Sequence, residues 1–239
     1  MNPGTARIAG ALYLLIATLS GFVHFYVPGA LIVPGDAAAT ASNIVTSEGL
    51  FRMGMATELV ILLSEVGLSV LLYVLLRPVS RTLSLVAAVS RIVMTTIHGI
   101  NLLNSSVVLL LLSGAGYLTV FAPNQLQALA MLFLDAYRYG FTIGIVFLAL
   151  HASILGYLIF KSGYFPRALG ALFVVASLGY LGDSFSHVLL PNHQTGAAYF
   201  AIPIAIAEIA FPLWLLFRGV NAEGWEKRTS AARVGSVAS

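Results

Sequence analysis

Four ionisable residues, Glu65, Arg91, His151 and Glu208, each stand near the middle of a different long apolar run. A charged side chain at the centre of a bilayer costs at least ~2.5–3.5 kcal/mol on insertion scales, so such residues pair inward or line a functional path. Two carboxylates, one permanent cation and one imidazole offer two chemistries. As a structural network, Arg91 pairs with Glu65 or Glu208 and His151 takes a hydrogen bond, keeping a low-dielectric interior near neutrality. As a relay, Glu65 and Glu208 titrate, Arg91 is their counter-ion and His151 is a pH-sensitive neighbour.

A second set comprises His24, Glu58, His98, Asp183 and His187. Asp183 and His187 are four apart and share a helix face. Glu58 and Glu65 are seven apart, as are Arg91 and His98, so both sets lie on common faces of two helices. Three imidazoles with two carboxylates suit zinc, manganese or non-haem iron. On that reading His24, His98, His187 and Asp183 hold a divalent metal, and Glu58 is general base to its bound water. A haem between two His is a variant of the same idea. The plainer alternative is polarity near the headgroups, with Glu58 and Asp183 lining an outer cavity. His193, beyond Pro191, reads as an exposed loop residue.

These residues must be positioned by membrane-spanning helices. Of 239 residues, 59% are hydrophobic and only 9% are charged, against about 25% charged in soluble domains. The formal net charge of +3 does not indicate nucleic acid. Nine of the twelve Lys and Arg (Arg7, Arg77, Arg81, Lys161, Arg167, Arg218, Lys227, Arg228, Arg233) fall at alternate ends of apolar runs. That is the positive-inside pattern, and it places both termini in the cytoplasm of a cell with this protein in its (inner) membrane. Cysteine is absent, which excludes disulfides, iron–sulfur clusters and thiol catalysis.

A span needs about 20 predominantly apolar residues. Six segments qualify: 7–27, 51–76, 81–112, 126–160, 167–190 and 197–217. The expected fold is therefore all-α, a transmembrane domain over 1–220 built as three in–out–in hairpins. The first run has about twenty apolar residues, long for a signal peptide, and reads as an uncleaved span. In the 28–50 loop, Asn43–Arg52 has the pattern of a short surface helix. The fourth run is too long for one crossing, so it either projects from the bilayer or bends at Gly140 and Gly144. The polar 221–239 tail reads as disordered. Counted from the nearest basic residue at 1.5 Å per residue, Glu65 lies ~18 Å deep, and Arg91, His151 and Glu208 ~15 Å, one common level. The second set lies at ~24–30 Å.

A weak internal repeat supports the hairpin reading. Arg7-Ile8-Ala9-Gly10-Ala11-Leu12-Tyr13 opens span one and Arg167-Ala168-Leu169-Gly170-Ala171-Leu172-Phe173 opens span five; both spans finish His-x-x-x-Pro. Parallel repeats are familiar in transporters, although two short matches in an Ala/Leu/Gly-rich chain also arise by chance.

Several linear patterns are more specific. They are Arg7-x-x-Gly10-x-x-Tyr13-Leu14, Leu50-Phe51-Arg52, Leu132-Phe133-Leu134-Asp135, Gly156 through Arg167 (GYLIFKSGYFPR) and Gly179 through Phe185 (GYLGDSF). Together they resemble a bacterial family of integral membrane proteins, domain of unknown function 4386, across most of the chain. The resemblance implies several membrane helices and carries over no catalytic residue.

No phosphate-binding loop, nucleotide motif, nucleophile elbow or His-Glu-x-x-His signature is present. The leading expectation is binding or transport of a small solute, lipid or proton through an outward-open polar cavity. One alternative is an intramembrane metal-dependent hydrolase acting on lipid-like substrates. The other is a structural or regulatory membrane subunit.

Overall fold

The structure, a computed structural model, describes residues 3–190 and 197–237. It is all-helical, with 88% helix and no strand among the described residues. The cause is the length of the apolar runs, because a backbone removed from water must satisfy its own N–H and C=O groups, which a helix does within one segment. The helices are α1 (Pro3–Gly21), α2 (Val27–Leu31), α3 (Ala37–Thr46), α4 (Glu48–Leu76), α5 (Arg81–Leu111), α6 (Pro123–Ser162), α7 (Arg167–Leu189), α8 (Ala197–Phe217) and α9 (Ala222–Val237). Five stretches are long and apolar enough to cross a membrane: Gly4–Leu31, α4, α5, α6 and α7. Ile202–Phe217 joins α9 at a bend of 93°, and counting that pair as one span brings the number to six.

α1 reaches α2 through a π-helical turn, Phe22–Tyr26, in which the Val27 N–H bonds to the Phe22 carbonyl. Pro28 explains the turn. It has no N–H to offer the His24 carbonyl and its ring crowds that carbonyl, so the helix widens there instead of breaking.

Two details depart from the sequence expectations, and a third decides between the alternatives left open for the fourth run. The surface helix is Ala37–Thr46, not Asn43–Arg52. Asp36 caps it by accepting from Ala39 N at 2.8 Å, and the chain breaks at Ser47, so α4 starts three residues before the expected span. α6 is one uninterrupted helix of 40 residues, ~60 Å long at 1.5 Å per residue, so it outruns a bilayer without a break at Gly140 or Gly144. The tail expected to be disordered forms α9. Polar groups anchor it: Trp225 Nε1 donates to Leu75 O at 3.4 Å, and Arg228 Nη2 donates to Lys161 O at 3.1 Å.

The chain divides into two compact units. The first comprises Met1–Ala17, Ser64–Thr95 and Ile143–Ser239. Its helices approach closely at glycines: a Cβ on Gly10 would meet Leu216 N at 2.8 Å, and one on Gly156 would meet Gly170 O at 2.7 Å. Small residues at such crossings are how helices pack without a hydrophobic driving force. The second unit comprises Thr18–Leu63 and Thr96–Thr142. Its core gathers Val27, Leu31, Ile44, Phe51, Val108, Ala130 and Leu134. Thr40 and Asn43 tie α3 to the α2 end through bonds with Val33 and Leu31.

Candidate functional site

The first unit encloses the charged residues that stood out in the apolar runs. Arg91 of α5 is 2% exposed. Its guanidinium engages Glu65 of α4 with two N–H groups, Nε to Oε2 and Nη2 to Oε1, the latter at 3.1 Å. A planar fork facing a carboxylate is the strongest geometry available to this pair. Arg91 Nη1 lies 3.1 Å from His151 Nε2, and His151 Nδ1 lies 2.9 Å from the Ala87 carbonyl oxygen.

Those two partners fix the imidazole. A carbonyl only accepts, so Nδ1 carries the hydrogen and donates it to Ala87. A guanidinium only donates, so Nε2 offers its lone pair to Arg91. His151 is thereby held as the neutral Nδ1–H tautomer with both nitrogens engaged. The Tyr13 ring of α1 completes the enclosure, with Arg91 Cζ 4.9 Å from its centroid, a cation–π contact.

Glu208 is arranged differently. It is half-buried on α8, and its Oε1 accepts a hydrogen bond of 2.9 Å from the Tyr180 hydroxyl of α7. Pro203 and Pro212 flank it inside the helix; each removes a backbone donor. The Tyr13 hydroxyl is near enough to interact with both Glu208 and Arg91. It is buried, and among the described residues it completes no hydrogen bond of good geometry. Glu65, Arg91 and His151 thus form one bonded triplet. Glu208 belongs to the same unit but is held by a tyrosine.

The second unit contains His24, Glu58 and His98. His24 Nε2, in the π turn, stands 3.5 Å from Glu58 Oε2, and Glu58 is 1% exposed. The rings of His24 and His98 each lie 4.6 Å from the Phe141 ring, at 49° and 12°. His98 Nε2 is 3.1 Å from the Phe141 carbonyl and must donate to it. One turn away, Asn101 Nδ2 donates to the Tyr137 carbonyl at 2.7 Å, and Asn104 bonds Asn101 Oδ1 at 2.9 Å. Gly140 makes this possible, since any Cβ there would collide with the Asn101 side chain.

Asp183 and His187 belong to the first unit, in the C-terminal part of α7, and face each other at 3.9 Å across one helical turn. The expected metal set of His24, His98, His187 and Asp183 with Glu58 is therefore distributed over a His24–Glu58 pair, a His98–carbonyl bond and an Asp183–His187 pair. Among the described residues, no three His, Asp or Glu side chains form a group that could hold a metal ion. Asp135 and Arg138 pair at the surface at 3.5 Å, as their spacing suggests. His193 lies outside the described residues.

Sequence reasoning missed Tyr13 and Tyr180 as site residues. The available signal was a hydroxyl in each of two apolar runs, both inside the family-like patterns around Gly10 and Gly179.

Long apolar helices enclosing a bonded charged triplet are compatible with a polytopic helical membrane protein. The chain belongs to the family described as domain of unknown function (DUF4386), whose model matches residues 8–219. It is also similar to a protein of Archaeoglobus fulgidus described as an uncharacterized protein, 30% identical over 159 residues, which are 66% of this chain and 79% of that one. No solved structure matches the chain.

Proposed function

We propose that the protein binds or moves a proton, alone or with a small solute, at a centre formed by Glu208, Tyr180 and Tyr13. The observation that carries this reading is an imbalance between the two carboxylates. Arg91, the one cation of the cluster, is committed to Glu65 by a two-pronged bond. Glu208 feels Arg91 without bonding to it, and its own partner is the neutral Tyr180 hydroxyl, with the Tyr13 hydroxyl close by. A carboxylate in a low-dielectric interior is stabilised by a positive partner, and with Arg91 committed to Glu65 a proton or another cation can fill that place at Glu208. An exchangeable proton there is the simplest carrier. The open hydrogen-bonding capacity of the Tyr13 hydroxyl supports a nearby solute, and the prolines of α8 support local backbone access.

In this reading Glu65, Arg91 and His151 are scaffold. A proton reaching His151 would have to displace Arg91 from Nε2, which removes His151 from the relay. The topology that accompanies the proposal has six spans with both termini cytoplasmic. The distribution of Lys and Arg at helix ends supports it.

The test is proton flux into liposomes reconstituted with the full chain, loaded with a pH-sensitive dye and driven by a potassium-diffusion potential. Wild type is expected to acidify or alkalinise the lumen faster than empty liposomes, and Glu208→Gln to abolish the difference while remaining folded. Undiminished flux in Glu208→Gln overturns the assignment of Glu208. Wild-type flux equal to that of empty liposomes, with added solutes tried in turn, overturns proton movement itself.

A further inference from the structure

We propose that the surface where α9 crosses the ends of α4, α6 and α8 binds the headgroups of anionic phospholipids. The inference does not depend on Glu208. Three hydrogen bonds assemble this surface within the first unit: Trp225 Nε1 to Leu75 O, Arg228 Nη2 to Lys161 O, and Asn221 N to Tyr164 O. Chain connectivity then brings in the neighbours. Arg77 and Arg81 follow Leu75, Lys161 and Arg167 bracket Tyr164, and Arg218 precedes Asn221. With Arg228 these are six cations, all exposed.

None of the six has a carboxylate partner among the described residues. The nearby acids on α9 are Glu223 and Glu226, and Glu223 is already taken by Lys227 at 2.6 Å. Elsewhere, Arg52 pairs with Glu48 and Arg138 with Asp135, while the exposed Arg7 of α1 forms no salt bridge among the described residues. Most of the unmatched positive charge is therefore at this surface.

Helix electrostatics account for only half of it. Arg77, Lys161 and Arg218 sit at C-terminal helix ends, where a cation is favoured by the helix dipole. Arg81 and Arg167 are the first residues of α5 and α7, where the dipole disfavours a cation. A negative group outside the chain would offset that cost, beyond what the Phe160 ring, 5.7 Å from Arg167 Cζ, supplies to Arg167. These positions are the ends of apolar spanning helices, which places them at headgroup depth, and the half-buried Trp225 beside them is the residue type enriched at that level. An anionic glycerophospholipid fits on three counts: its phosphodiester charge, its location, and its ability to insert acyl chains beside exposed side chains such as Leu178 and Phe217.

The test uses the full chain purified in neutral detergent and incubated with equal amounts of phosphatidylglycerol and phosphatidylcholine of identical acyl chains. Native mass spectrometry counts the lipid retained. A juxtamembrane cation contributes about 1 kcal/mol toward anionic lipid, so the expected preference for phosphatidylglycerol is on the order of tenfold or more. Arg81→Gln/Arg167→Gln/Arg228→Gln is expected to bring the two lipids to parity. Equal retention by wild type overturns the proposal, as it would for a surface reserved for an acidic protein segment. A preference undiminished in the folded triple variant also overturns it. Should that variant not fold, a salt series on wild type decides: a preference that falls as salt rises supports headgroup binding, and a salt-independent one overturns it.

Discussion

Arg91 and His98 lie seven residues apart on α5, and their two surroundings handle buried polarity in different ways. In the first unit a permanent cation is neutralised by a carboxylate and braced by a neutral imidazole and an aromatic face. In the second, imidazole and amide donors from α5 lean on backbone carbonyls of α6, with no Arg involved. A full charge forces its neighbours into a saturated arrangement, because leaving it unpaired is expensive. Neutral donors need only an acceptor, and a helix carbonyl with a glycine nearby supplies one. The surroundings of Arg91 are thus expected to be sensitive to single removals, and the carbonyl bonds of His98 and Asn101 to tolerate them.

The largest effect should come from Arg91→Met. It leaves Glu65 as an uncompensated buried carboxylate, with an expected loss of about 3–5 kcal/mol. Adding Glu65→Met should restore most of it, read by unfolding the purified protein in detergent with increasing sodium dodecyl sulfate. A double variant as unstable as the single one would mean that Arg91 acts chiefly through other contacts. Next, Gly140→Val should cost about 1–3 kcal/mol, because the new side chain must displace Asn101. Combining it with Asn101→Ala should recover part of that loss, whereas strict additivity would remove the steric explanation.

Asn101→Ala alone should cost about 0.6 kcal/mol, the usual scale for a hydrogen bond between membrane helices. A loss comparable to that of Arg91→Met would erase the contrast between the units. The smallest effect belongs to Arg138→Gln. Its pair with Asp135 is exposed and 3.5 Å long, so the stability change should stay within about 0.5 kcal/mol by the same unfolding measurement.

How legible this was depends on the kind of signal. The long helices and the embedded charges could be read because a lipid environment penalises both irregular backbone and isolated charge, leaving few alternatives. That Glu65, Arg91 and His151 occupy one level followed from counting residues along helices, and the structure bonds them together. Which carboxylate Arg91 chooses did not follow, because depth carries no information about rotation around the helix axis. The same limitation affected His24, His98 and His187, which residue counting puts at similar depths but which form no ligand-holding group among the described residues. Tyr13 and Tyr180 were passed over because a tyrosine in an apolar run looks like packing until its hydroxyl is located. α9 was missed for a different reason: its composition is that of a solvated segment, and tertiary bonds to Leu75 and Lys161, distant in sequence, hold it.

The central claim is that Glu208 exchanges a proton while Glu65 is fixed by Arg91. Infrared difference spectra of the reconstituted protein, recorded between acidic and alkaline buffer, test it directly through the carboxyl C=O stretch. The account predicts a pH-dependent carboxyl band from within the apolar interior that disappears in Glu208→Gln and survives in Glu58→Gln. A band that persists unchanged in Glu208→Gln would contradict it.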